Sequence, residues 1–93
     1  MQQNLIHLTS IYKTCKELDL VKSQTEFSEL CGKNPSWFSV CKARNIEPSV
    51  DAIVRLGTNI KYHAPKIGRK YPIKLKRNID SLLMRTVEFG KIT

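Results

Sequence analysis

Three cysteines, two histidines and a surplus of lysine and arginine are the side chains through which this chain can do chemistry. Cys15, Cys31 and Cys41 are odd in number and lack a CxxC spacing, and His7 and His63 lie far from any cysteine in sequence. That pattern builds neither a disulfide framework nor a zinc site. Each thiol reads instead as a small buried apolar group. No paired-carboxylate site, nucleophile elbow, H-E-x-x-H helix or phosphate loop occurs. Neither enzymatic activity nor a metal or cofactor is therefore expected.

The charge points elsewhere. The chain carries a net charge of +8 over 93 residues. Residues 1–60 hold seven Lys/Arg against six Asp/Glu, and residues 61–93 hold nine against two. Such an excess favours acidic partners, nucleic acid first and an anionic membrane surface second. Ninety-three residues make one domain, too small to wall a large substrate cavity. No apolar run approaches the roughly 20 residues of a membrane span, and the opening MQQNLIHL lacks the pattern of a secretion signal. The expected location is the cytoplasm (bacterial cytosol or nucleoid), with no membrane partner.

These side chains need elements to hold them. Leu5, Leu8, Tyr12, Cys15 and Leu18 recur at steps of three and four, which predicts an amphipathic helix over Leu5–Leu20. Ser23-Gln24-Thr25-Glu26 is a capping box. A short helix from Gln24 to Cys31 follows it, with Gly32 at the left-handed stop. Asn34-Pro35 suits the cap and first position of a third helix, which then carries Trp37, Phe38, Cys41 and Lys42. Pro48-Ser49 opens a fourth, expected to end near Gly57 to Asn59. Beyond it, residues 61–77 read as a basic connector or arm with a weak strand signal at Tyr71, Ile73 and Leu75. Asn78 is placed to cap a fifth helix ended by Gly90. The expected fold is all-α: a four-helix core over residues 1–60, a basic extension over 61–77 and a last helix over 78–93.

Helices two and three meet the steric demands of a helix-turn-helix. Counting Gln24 as position one, small Ser28, turn residue Gly32 and the apolar plugs Phe38 and Cys41 fall at five, nine, fifteen and eighteen. At SQTEFSELCGKNPSWFSVCKARNIEPSVDAIVRL the chain resembles the Cro/repressor-type helix-turn-helix family. It is especially similar to small bacterial and mobile-element proteins with an SQxxFS…S(W/Y)(F/Y)S…PS pattern. The resemblance covers residues 5–60. It departs at Lys42-Ala43-Arg44, where a Glu-Arg-Gly exit is usual.

The resemblance implies a small transcriptional repressor. It would read a palindromic double-stranded DNA operator through the helix Pro35–Arg44, with no small-molecule ligand indicated. The alternative is a protein-interaction module or antitoxin-like partner on the same fold. By analogy the residues facing DNA are Gln24, Asn34, Pro35, Ser36, Trp37, Ser39, Val40, Lys42, Ala43 and Arg44. Serines donate to or accept from bases and phosphates, and Val40 and Trp37 suit a thymine methyl, unless Trp37 packs against the neighbouring helix. Lys66, Arg69 and Lys70 either track the phosphate backbone or are solvated charges. Ile73, Leu75, Ile79, Leu82, Leu83 and Val87, with Phe89 beside them, either form a homodimer seam or fold back on the first helix.

Overall fold

Leu5, Leu8, Ile11, Tyr12 and Cys15 share one face of a helix, and all five are buried along α1 (Gln3–Glu17). The computed structural model describes residues 3–92, with side chains through Glu88. α1 stops at Asp19, which takes a left-handed φ of 59° so that the Leu20 N–H can donate to the Cys15 carbonyl at 2.8 Å. Ser23 caps α2 (Gln24–Leu30), accepting from the Glu26 N–H at 3.3 Å. α2 closes in a Schellman turn: Lys33 N–H donates to the Ser28 carbonyl at 3.1 Å and Gly32 N–H to the Glu29 carbonyl at 2.9 Å. Gly32 has φ +72°, where a side chain is strained.

α3 (Trp37–Arg44) begins two residues later than expected. Asn34 Oδ1 accepts from the Ser36 N–H at 3.1 Å and from the Ser36 hydroxyl at 3.0 Å, while Trp37 N–H donates to the Asn34 carbonyl. These short-range bonds make Pro35 and Ser36 a tight turn leading into the helix. α4 (Val50–Lys66) opens at Ser49, whose hydroxyl accepts from Ala52 N–H at 3.2 Å. It runs well past Gly57, because the buried stripe Ile53, Leu56, Ile60 and Ala64 continues without a break. Gly57 is a packing position inside the helix: a Cβ there would sit 3.5 Å from Ile79 Cγ2.

The basic segment is not an arm. Lys61–Lys66 form the end of α4, and α5 (Ile73–Ile92) starts directly after Pro72, so the connector is only residues 67–72. His63 sits within α4. The strand signal at Tyr71–Leu75 is not realised, and no strand occurs among the described residues. Apolar alternation over five residues also fits the entry to a helix whose buried stripe is Leu75, Ile79, Leu82 and Thr86. Asn78 and Gly90 lie inside α5.

α5 packs on α1 and α4, and α2 packs on α3 and α4. This corrects the dimer seam. Leu75, Ile79 and Leu82 are only 1%, 2% and 1% exposed within a single chain. They complete the chain's own core and have no surface left for a twofold contact. Ile73, Leu83 and Val87 retain exposure, and the Phe89 side chain lies outside the described residues. No helix among the described residues is long and apolar enough to cross a membrane.

Removing Leu82 tests this assignment. Leu82→Ala should cost about 2–5 kcal/mol and lower the melting temperature by roughly 8 °C or more. Tyr62→Ala, at a site 63% exposed, should stay within about 0.5 kcal/mol of wild type. Circular-dichroism melts read both, and equal Tm values for the two variants would place Leu82 outside the core.

Candidate nucleic-acid interface

Ser28 decides how α3 sits on α2. Its side chain is fully buried, and its Oγ donates to the Gln24 carbonyl at 2.9 Å and accepts from the Phe38 N–H at 3.0 Å. Phe38 is the second residue of α3, so its N–H has no partner within its own helix. α2 thus caps α3 through a side chain, and Ser36 at the N-cap position makes no side-chain bond of its own to the helix. The small residue required by the spacing is also a hydrogen-bond relay. Around it, Tyr12, Phe27 and Phe38 pack as three mutually tilted rings with centroids 4.9–5.2 Å apart, tying α1, α2 and α3 together.

α4 braces the turn from the other side. Asn59 Nδ2 donates to the Leu30 carbonyl at 2.7 Å, taking up a free acceptor at the end of α2. The Arg55 stem lies over Gly32, and a Cβ on Gly32 would collide with it. Arg55 Nε donates to both Asp51 oxygens at 3.1 and 3.2 Å, and Lys33 Nζ lies 3.5 Å from Asp51 Oδ2. The Arg55 hydrogen bonds first, and then Lys33, hold the Asp51 carboxyl below the usual carboxylate range. Sequence reading missed this bracket, although the i,i+4 spacing of Asp51 and Arg55 was a legible signal.

With its inner face fixed, α3 turns Ser36, Ser39, Val40 and Ala43 outward on one stripe, and Asn34, Pro35 and Arg44 flank it, also exposed. Ser39 Oγ donates to Gln24 Oε1 at 2.8 Å. That bond leaves the Gln24 amide N–H groups and the Ser39 lone pairs for another partner. Two expected contact residues are turned inward. Trp37 is half-buried against the core, and Lys42 lies half-buried with its ammonium 4.9 Å from the Phe38 ring centroid.

The basic residues beyond α3 divide between two places. Arg69, 3.5 Å from Asp19, shares a shallow groove with Lys22, Glu26 and His63, which brings the end of α4 beside the first turn of α2. Lys66 and Lys70 are exposed at the same end of α4. Lys61 and Lys76 line a different groove, between α4 and α5.

The thiols stay protonated at neutral pH. Burial pushes Cys15 and Cys31 up to about 12, and burial raises Cys41 as well. No group of three metal-ligating side chains converges among the described residues.

The relay gives a direct test. Ser28→Ala keeps the residue small but strands the buried Phe38 N–H, and should cost about 1–3 kcal/mol in urea denaturation. An unchanged midpoint would reduce Ser28 to a space-filler.

The chain has no significant match among curated proteins or among solved structures. One family matches residues 8–86, from α1 through most of α5. All five helices are therefore part of the shared unit, the last one included. Since that match spans well over half of its length, the chain belongs to the Family of unknown function (DUF6626).

Proposed function

We propose that this protein binds double-stranded DNA sequence-specifically, as a small repressor-type regulator of the Cro/repressor helix-turn-helix kind. The observation that carries the reading is the outward stripe of α3. Ser36, Ser39, Val40 and Ala43 do no work in the core, yet the helix that bears them is fixed to α2 through Ser28. A rigid helix with short polar and methyl-bearing side chains suits the major groove, where serine meets donors or acceptors and Val40 meets a thymine methyl. Gln24, Arg44, Lys66 and Lys70 supply phosphate contacts around it, and the net charge of +8 supplies attraction at longer range. Lys42 and Lys33 contribute less, being engaged by Phe38 and Asp51.

A single recognition helix spans few base pairs, so the reading includes a homodimer on a palindromic operator. Its seam moves to the outer stripe of α5, where Ile73 and Met84 are 66% and 60% exposed and Leu83 and Val87 lie alongside. The site of action would be the cytoplasm, with the DNA. A protein-interaction or antitoxin-like role is the second reading. It is favoured by Ile46, Val50 and Val54, exposed apolar residues at successive four-residue steps.

Selection from a random duplex library, followed by gel shift, separates the two. The DNA reading expects an enriched palindrome with half-sites about one helical turn apart. Ser36→Ala and Ser39→Ala should each weaken specific binding by about 1–3 kcal/mol and leave non-specific binding intact. Failure to enrich any sequence favours the interaction module.

The basic corner has its own readout. Neutralising Lys66, Arg69 and Lys70 together should flatten the log–log salt dependence while preserving the preferred sequence. The slope should fall by about 0.9 for each phosphate that the protein ceases to neutralise. An identical slope would make these residues solvated charges.

A further inference from the structure

The flank of α5 that faces α1 holds a second polar site, built from two helices that take no part in the α2–α3 stripe. Arg85 Nη1 lies 3.0 Å from His7 Nε2. A guanidinium has no lone pair, so it must donate, and the imidazole nitrogen accepts. Two basic side chains from different helices are thus held face to face. Arg85 makes no ion pair with a carboxylate among the described residues. The two sit at a cleft of about 210 Å³, whose other polar lining is Ser10, Asn78 and Ser81. The floor is apolar, formed by Ile11 and Leu82. No carboxylate lines it; Asp80 lies on the opposite flank of α5, in the groove toward α4.

We propose that this cleft binds a phosphate group. Every polar group in the lining can donate: the guanidinium fork, the imidazole once it turns its N–H inward, two hydroxyls and an amide. Arginine pairs with oxyanions through charge-assisted bonds stronger than neutral ones. The donors come from both walls, which suits a tetrahedral anion better than a planar carboxylate. The volume is below the roughly 300–1,000 Å³ of ordinary ligand pockets, so the cleft takes the phosphate group itself, and whatever bears that group stays outside. The lone Arg85–His7 contact is the resting arrangement, and the anion replaces it by drawing both side chains toward itself. The site stands whether or not α3 reads DNA. Its phosphate comes either from a free small molecule or from a nucleic-acid backbone.

Amide and side-chain NMR titration of the full chain with inorganic phosphate tests the site, at constant ionic strength and with chloride and acetate as controls. The expected result is saturable shifts centred on His7, Ser10, Asn78, Ser81 and Arg85, absent with chloride and much weaker with acetate. Arg85→Met keeps the aliphatic stem and should weaken phosphate binding roughly tenfold or more. Ser81→Ala should weaken it less, with the melting temperature of both variants near wild type. A non-specific 20-bp duplex distinguishes the sources. If it shifts the same signals and competes with phosphate, the natural ligand is nucleic-acid backbone; if it leaves them unmoved while phosphate binds, the ligand is a free phosphorylated molecule. Linear shifts spread over Lys66, Arg69 and Lys70, or equal binding by Arg85→Met, would overturn the proposal.

Discussion

A hydroxyl inside the core, on Ser28, holds α3 in place against α2. Burying a hydroxyl is costly unless its bonding capacity is used. Here it is used twice, toward the backbone of its own helix and toward the start of the next. The second bond matters more, because a helix of eight residues is marginal by itself and has few ways to satisfy its first amides. Once Phe38 is held, its ring meets Phe27 and Tyr12, and three helices share one apolar centre. The outward direction of Ser36, Ser39 and Val40 follows from the inward direction of Phe38 and Cys41.

The remaining two helices act as bracket and lid. α4 reaches the turn with Asn59 and Arg55, so the end of α2 is held by a side-chain amide and covered by an arginine stem. α5 closes the core with Leu75, Ile79 and Leu82. A domain of this size has little apolar surface to spare, and three large side chains from one helix are a substantial part of its core. The family match extends into α5, and without that helix the buried stripes of α1 and α4 would face water.

Charge is arranged differently from its order along the chain. The dense run of lysine and arginine after residue 60 reads as one basic track, yet two helix ends and a six-residue link divide it. One part stands beside the first turn of α2, another borders the α4–α5 groove, and Arg85 faces α1 on the far flank of α5. A helix sends neighbours in sequence to different faces, so composition alone overstates how much basic surface a single ligand can meet.

Local rules were enough to predict much of this protein from its sequence. The stripe of α1, the Ser23 cap, the left-handed stop at Gly32 and the α2–turn–α3 spacing depend on interactions within a few residues, and they stand where spacing puts them. The all-α class follows from the same periodicities. Tertiary structure decided the rest. Gly57 and Pro65 are breakers by propensity, but α4 runs through both because Ile60 and Ala64 bury against the core, a gain larger than the local cost. The entry to α5 has a two-residue alternation that a strand would share, and only packing on α1 and α4 selects the helix. The same packing assigned Leu75, Ile79 and Leu82 to the chain's own core rather than to a seam between copies. It also brought His7 within reach of Arg85, 78 positions away. Periodicity identifies which face of a helix is apolar. Which neighbour covers that face depends on residues distant in sequence, and no local pattern encodes them.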